Sequence, residues 1–388
     1  MRLFLIAGEP SGDALGGALM DGLRTLLPDV AFAGVGGPSM QAAGLQSLFP
    51  MADLSVMGLA EVLPKYRHLK RRIRETAEAI ARTAPDAVVT IDSPDFCLRV
   101  LALARAENPG LKTIHYVAPS VWAWRAGRAR KMARVVDHVL ALLPFEPSYM
   151  TAAGMSCDFV GHPVVAQPQA SADEAMLFRA GAQVSSDAPL ILCLPGSRRG
   201  EVSRLLPIFR AALTRVVAAH PGARIVIPTT PNVTGLVRSL TEGWAGVLVL
   251  DPTQAPADAY ARQKRAAFRA ADVALAASGT VSLELAAAGT PMVIAYRMNA
   301  LSQAIITRLL RVDTVTLVNL VSETRTVPEF IGRDCRPDPI AAAVDSILGA
   351  GRAAQIAAMD LTMERLGRGG EAPGLRAARS VLAAIGAD

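Results

Sequence analysis

The sequence predicts an α/β protein of two doubly wound domains facing each other across a cleft. Three observations carry this. Short apolar runs alternate with helical patterns along the chain, the mark of βαβ units and parallel sheets. The 388 residues exceed one ordinary core and suit two. Between two such alternating sets lies Pro163 to Glu174 (PVVAQPQASADE), polar and proline-bearing, which reads as a linker.

Strands in the first half are expected at Leu3–Ala7, Ala87–Ile91, Thr113–Val117, Val139–Leu143 and Phe159–Val160, each run stopping within two residues of Gly, Pro or an acid. The second half repeats the scheme at Leu190–Leu194, Arg224–Ile227, Val247–Leu250, Val273–Ala276 and Met292–Ala295, and Ala-rich helical segments follow. No period indicates a solenoid. Function belongs at the carboxyl ends of the strands, where open α/β sheets bind ligands.

Composition removes several classes. The hydrophobic fraction of 51% raises the question of a membrane protein, yet no run nears the roughly 18 apolar residues of a spanning helix. Met1 to Ile6 is apolar apart from Arg2 but soon meets Gly8-Glu9, unlike a signal peptide, so a cytoplasmic protein is expected. Cys97, Cys157, Cys193 and Cys335 are scattered, and the histidines show no ligand spacing, so neither disulfide nor zinc is expected. Without a DxD pair no metal clamp on a diphosphate is indicated, and no cofactor is expected.

The net charge of +6 is unevenly placed. Lys65, Arg67, Lys70, Arg71, Arg72 and Arg74 form one cluster, and Arg125, Arg128, Arg130, Lys131 and Arg134 another. Such clusters suit anionic lipid or phosphate, though a solvated helix face accounts for them equally. Nucleic acid is disfavoured, since no aromatic pattern interleaves the basic residues. Residues 54–63 (LSVMGLAEVL), apolar at Leu54, Met57, Leu59, Ala60 and Leu63, run straight into the first cluster. Together they predict a surface resting on an anionic membrane; an amphipathic core helix is the plain alternative.

Two loops carry phosphate chemistry. Ala277-Ser278-Gly279-Thr280 follows a strand and opens a helix, so a phosphate can approach both its small residues and the helix N-terminus. Glu284, one turn on, is placed to accept bonds from two ribose hydroxyls. A simple N-cap with a solvated glutamate fits the same residues. Leu194-Pro195-Gly196-Ser197-Arg198 is a second loop of this kind, where Arg198 forks onto a diphosphate or stands as an ordinary surface arginine. Two such loops in one domain favour a nucleotide.

In the first half, Gly8-Glu9-Pro10-Ser11-Gly12-Asp13 follows the first strand but is not GxGxxG, so a dinucleotide cofactor is unsupported. The strand ending at Ile91 runs into Asp92-Ser93-Pro94-Asp95. A carboxylate at a strand's carboxyl end suits general-base work, which points to Asp92, whereas Asp95 reads equally as a helix cap. Residues 116–125 (YVAPSVWAWR) hold Trp122 and Trp124, one for packing and one for lining a site.

Through these residues the chain resembles the lipid-A-disaccharide synthases, inverting glycosyltransferases of the GT-B architecture, which has two Rossmann-like domains. The resemblance runs through GEPSGD (8–13), IDSPDF (91–96), HYVAPSVWAWR (115–125), LPFE (143–146), FVGHP (159–163), LPGSR (194–198), ASGTVSLE (277–284), PMVIAYRM (291–298) and VNL (318–320). Pro10 and the stretch 321–330 (VSETRTVPEF) depart from the usual pattern.

The resemblance implies transfer of 2,3-diacylglucosamine from its UDP derivative onto 2,3-diacylglucosamine 1-phosphate, giving a β-1,6-linked disaccharide 1-phosphate and UDP. It gives Asp92 the catalytic role. Donor contacts fall to Arg198, Ser278, Gly279, Thr280, Glu284 and Asn319, and Glu9 and Ser11 line the acceptor side. Val56, Met57, Leu59, Arg71, Arg72 and Arg74 would face the cytoplasmic leaflet of the inner membrane. It also implies domains at 1–168 and 175–354, with the C-terminal segment 355–388 crossing back to the first. A UDP-sugar 2-epimerase is the enzymatic rival; it shares the architecture but has no need of the lipid-facing segment.

Overall fold

The computed structural model describes residues 1–54, 59–123, 127–298 and 312–387, with the backbone alone over 59–66. Two compact units result: 1–166 together with 366–388, and 167–365.

The first unit is built on a parallel sheet of order β2-β1-β3-β4-β5-β6. Its strands are β1 (Arg2–Ala7), β2 (Ala31–Val35), β3 (Ala87–Ile91), β4 (Lys112–Tyr116), β5 (His138–Ala141) and β6 (Ser156–Phe159). Both faces are covered, which is why β1 is apolar from Leu3 to Ala7 and β3 is interrupted only by Thr90, itself bonded to His115. Alternate side chains of β1 enter opposite cores. Leu3 and Leu5 pack with α1 (Pro10–Leu26), whereas Phe4 and Ile6 pack with Ile80 of α3 (Leu59–Thr83) and with Val100 and Leu101 of α4 (Pro94–Glu107).

The chain comes back to this unit after the second is complete. Helix α15 (Pro373–Ile385) closes the Leu3 face with Ala377, Ala378, Val381 and Leu382. Its axis comes close to α1 because two glycines meet: a Cβ on Gly22 would lie 2.6 Å from the Gly374 carbonyl oxygen, and one on Gly374 2.5 Å from that of Ala18. Polar ties hold it as well. Arg376 donates to the Phe159 carbonyl at 2.7 Å, and His138 Nε2 lies 2.8 Å from Ser380 Oγ. The return falls at Leu366, where the sequence placed it near 355; α14 (Arg352–Arg365) belongs to the second unit, with Gln355 bonded to both backbone groups of Met292.

The second unit holds a parallel sheet of order β12-β11-β10-β7-β8-β9. The strands are β7 (Leu190–Leu194), β8 (Arg224–Pro228), β9 (Val247–Leu250), β10 (Val273–Ala276), β11 (Met292–Tyr296) and β12 (Glu329–Ile331). Among the described residues its helices are α7 (Ala172–Gly181), α8 (Arg199–Ala219), α9 (Thr234–Thr241), α10 (Ala257–Ala270), α11 (Val281–Ala288), α12 (Leu317–Ser322), α13 (Pro337–Leu348) and α14. The expected linker is in part a helix start: Ser171 and Glu174 form a reciprocal capping box that opens α7. Strands β2 and β12 were not foreseen. No helix among the described residues is long and apolar enough to cross a membrane.

Glu146, at the start of α6 (Glu146–Thr151), is an internal tie of the first unit. Its carboxyl accepts from the N–H groups of Leu142 and Leu143 at 3.1 and 3.0 Å and from Trp122 Nε1 at 3.3 Å. Trp122 is itself buried edge-on against Phe145, the packing role expected of one tryptophan; Trp124 lies outside the described residues. Burial pushes the Glu146 carboxyl up to about 7. The folded protein therefore holds this proton more tightly than the unfolded chain, a contribution present below pH 4.5 and lost as pH rises to about 7. Glu146→Gln keeps the shape without titrating. Urea unfolding should show the variant gaining on the parent between about pH 5 and about pH 8, by roughly 1–3 kcal/mol. A difference independent of pH would refute the assignment.

Candidate functional site

Strand order reverses once in each sheet, between β1 and β3 in the first and between β7 and β10 in the second. Loops leaving neighbouring strands at such a point run to opposite faces and open a crevice at the carboxyl ends. The four loops singled out in sequence, at 8–13, 92–95, 195–198 and 277–280, follow those four strands.

In the second unit the loops after β7 and β10 border a cavity of about 440 Å³. Gly196, Ser197 and Arg198 line one side; Ser278, Gly279, Thr280 and Glu284 line the other. Gly196 at φ +111° and Gly279 at φ +152° occupy backbone regions closed to side chains, so both turns require glycine. No side chain caps α11 at Thr280 or α8 at Arg198. The simple N-cap reading of the Ser278 loop thus lacks its hydrogen bond. The helix N-terminus faces the cavity with its positive dipole end.

Charge at this site is arranged in pairs. Arg198, about two-thirds exposed, reaches Glu201 Oε1 at 3.4 Å. Glu201 in turn takes the Tyr296 hydroxyl at 3.3 Å and lies under the turn, where a Cβ on Gly196 would meet its Oε2 at 2.6 Å. Glu284 is paired with Lys264 of α10 at 2.7 Å. Sequence reasoning missed Glu201, Thr229, Thr230, Tyr260 and Lys264, which also line the cavity. Thr229 and Thr230 directly follow β8, a signal of the kind used elsewhere, and Tyr260 and Lys264 are one turn apart on α10.

In the first unit the GEPSGD and IDSPDF loops meet. A Cβ on Gly8 would lie 2.6 Å from Ser93 Oγ, so glycine is what lets them touch. Asp13 is buried and accepts three backbone N–H groups, from Gly37 at 2.7 Å, Ser39 at 2.8 Å and Met40 at 3.1 Å, fixing the start of α2 (Pro38–Ala42). Glu9 is the half-buried N-cap residue of α1, and Ser11 is exposed on its first turn.

Asp92 is half-buried at the end of β3, with φ +52°, and Ser93 follows at φ +43°. Two consecutive left-handed residues outside glycine cost of order 1–3 kcal/mol each and concentrate at functional sites. Asp92 Oδ1 accepts the Ser93 N–H at 2.8 Å, and its own N–H bonds to the Tyr116 carbonyl. Asp95 is nearly fully exposed beside Arg128 at 3.7 Å. His115 is a core residue, buried against Thr90, and burial lowers its ring to about 4.

Two sequence-derived residues sit elsewhere. Asn319 is buried and does not line the cavity. Its Nδ2 donates to the Val327 carbonyl at 2.9 Å and its Oδ1 accepts the Val327 N–H at 3.0 Å, a strand-like pairing that consumes the amide. Arg72 points inward: it bonds Asp53 at 2.6 Å and Glu75 at 2.7 Å and lies over the Phe49 ring. Arg67, Lys70, Arg71 and Arg74 are exposed and share one groove of α3. Val56 and Met57 lie outside the described residues, as does the Leu59 side chain.

The paired doubly wound sheets define a protein of two Rossmann-like units, with a cavity at the switch point of the second. The chain matches a UDP-GlcNAc 2-epimerase from Neisseria meningitidis, bound to UDP-GlcNAc, with a TM-score of 0.62 at 11% identity, covering 100% of both chains. A putative UDP-N-acetylglucosamine 2-epimerase from Listeria monocytogenes gives 0.61 at 14%, covering 99% of this chain and 95% of that one. Identity this low fixes the fold alone.

Sequence decides the family. The lipid-A-disaccharide synthetase model matches residues 3–373. A lipid-A-disaccharide synthase from Ruegeria pomeroyi is 62% identical over 98% of this chain and 95% of its own length. One from Rhodospirillum centenum is 48% identical over 99% and 95%. The chain belongs to the lipid-A-disaccharide synthetase family, glycosyltransferases of lipid A and hence lipopolysaccharide biosynthesis.

The Asn319 geometry has a measurable consequence. Asn319→Ala strands both backbone groups of Val327 and should cost about 1–3 kcal/mol for each left unpaired. In calorimetry the folded variant should bind UDP within about twofold of the parent, since under 0.5 kcal/mol is at stake. Full stability with lost UDP affinity would return Asn319 to the donor contacts.

Proposed function

We propose that this chain transfers 2,3-diacylglucosamine from its UDP derivative to the 6-hydroxyl of 2,3-diacylglucosamine 1-phosphate. The products are the β-1,6-linked disaccharide 1-phosphate and UDP. The observation that carries the reading is the switch-point cavity of the second unit, where two glycine turns, an uncapped helix start and a carboxylate gather in a chain of this family.

The donor's UDP lies in that cavity. Glu284 accepts the ribose hydroxyls, and Ser278, Gly279 and Thr280 bring α11's N-terminus to the diphosphate. Arg198, exposed enough to turn from Glu201, forks onto the same group. Asp92 is the general base. It takes the proton of the acceptor hydroxyl as that oxygen attacks C1 of the donor, the C1–O bond to UDP breaks, and configuration inverts in one displacement. UDP leaves as an anion and needs charge stabilisation rather than a proton, so Arg198 and α11 act where charge grows. Glu9 and Ser11, on the loop against Ser93, contact the acceptor. No metal or cofactor takes part in this scheme.

Both substrates carry acyl chains, so the enzyme works peripherally on the cytoplasmic face of the inner membrane. Arg67, Lys70, Arg71 and Arg74 form the lipid-facing row, whereas Leu54, expected beside them, is buried in the core of the first unit. Arg72 supports the row from beneath. UDP release in the presence of both lipid substrates is the direct test.

Asn tolerates positive φ as Asp does, so Asp92→Asn keeps the backbone and removes only the proton acceptor. Its kcat should fall about 10²–10⁴-fold with UDP affinity retained, while Asp95→Asn stays near normal. The reverse pattern would move the base to Asp95.

Arg71→Glu with Arg74→Glu should release the protein from anionic vesicles in sedimentation, since each cation contributes about 1 kcal/mol, and rising salt should mimic it. Vesicle binding that survives both changes would reduce the row to a solvated face.

A further inference from the structure

Helix α10 presents Tyr260, Lys264 and Phe268 to the nucleotide cavity. A spacing of four places them in one row along the helix. The row is anchored at both ends. The Tyr260 hydroxyl accepts the Thr229 N–H at 3.0 Å and donates to the Thr229 carbonyl, tying α10 to the loop after β8. Phe268 is buried, and its carbonyl accepts the Thr290 hydroxyl behind α11.

Between these anchors the Lys264 ammonium is held from two sides. It lies 2.7 Å from Glu284 Oε2 and 5.0 Å from the centroid of the Phe268 ring. The Lys264–Glu284 pair also borders a second cavity of about 330 Å³ lined by Gln167, Gln169 and Arg265, so it stands as the partition between two open spaces. Among the described residues, Lys264 is the side chain that pairs with the Glu284 carboxylate, with Phe268 and Ala288 bordering the second cavity beside it. A glutamate on a helix's first turn, bordered by two cavities, has several rotamers open to it and loses binding energy ordering itself on a ligand.

We infer that Lys264 is a positioning residue. Its ammonium fixes one oxygen of Glu284 and leaves the remaining acceptor capacity of the carboxylate turned to the paired hydroxyls of the nucleotide's ribose. Lys264 thereby sets the preference of this site for a ribonucleotide. The inference rests on the donor reading above and deepens it. A carboxylate offers about four acceptor sites, so one ammonium and two hydroxyls are compatible on it.

The test compares UDP with 2′-deoxy-UDP by calorimetry on the whole protein. The parent should prefer UDP by about tenfold, the weight of one hydrogen bond to a charged group. Lys264→Met keeps the aliphatic stem over Phe268 and removes the ammonium. It should lose UDP affinity by about tenfold and bring the ratio of the two nucleotides near one, whereas Lys264→Arg restores most of the preference. With the UDP-sugar, KM should rise and kcat hold, the pattern of lost uniform binding. In a Glu284→Ala background Lys264→Met should change the ratio no further, because the two act as one unit.

The ratio separates positioning from a structural role. Loss of the helix's packing, or of a nearby positive charge, would weaken both nucleotides alike. An unchanged ratio in Lys264→Met, with the parent still preferring UDP, overturns the positioning role and leaves the donor site intact. A parent that binds both nucleotides equally overturns the ribose role of Glu284 and the inference with it.

Discussion

Everything functional in this chain hangs on the way a parallel sheet must be connected. Right-handed crossovers oblige helices to lie on one face on one side of the starting strand and on the other face beyond it. At the reversal two loops diverge, and nothing in the sheet itself fills the space between them. Here the reversals fall at β1/β3 and β7/β10, and the Asp92 loop and the Ser278 loop occupy them. The positive φ of Asp92, Ser93, Gly196 and Gly279 clusters at these points because a chain leaving a strand must turn sharply there.

Each unit spends its rigid elements differently around that opening. In the first, Asp13 locks one loop to α2 and Gly8 lets the Asp92 loop come into contact, so the carboxylate rests on fixed backbone. In the second, cation and carboxylate are matched in pairs, Arg198 with Glu201 and Lys264 with Glu284. Such charge-assisted pairs hold their carboxylates in fixed places.

Most of the fold was legible because central strands are buried on both faces and so leave long apolar runs; β3, β7 and β10 were read to the residue, as was the edge strand β9, whose four residues are all apolar though only partly buried. Strand β2 escaped because it is an edge with an exposed start, and β12 because three half-buried residues make no pattern. The Ser171 capping box was visible as S-x-x-E but lost within a proline-bearing stretch. Loops at strand ends announced the site, since glycine and small polar residues there have few other uses. Arg72 and Asn319 did not announce their places. Whether an arginine on a basic helix points out or in, and whether an amide pairs with ligand or backbone, depends on partners distant in sequence, Asp53 and Val327. Lys264 was silent for the same reason: its meaning lies in Glu284, on another helix.

The return of α15 has a consequence for how the protein is made. Its side chains complete the Leu3 face of a sheet whose strands are synthesised long before them. The second unit has all its strands and helices by Arg365, so it can close while that face of the first still lacks its cover. Domains usually mature from the N-terminus onward during translation. Here the order is inverted: the earlier-made unit finishes last and shows apolar surface to the cell until α15 emerges. Chaperone demand during synthesis should therefore centre on the first unit, and a released chain lacking α15 would present a finished second unit beside an open sheet.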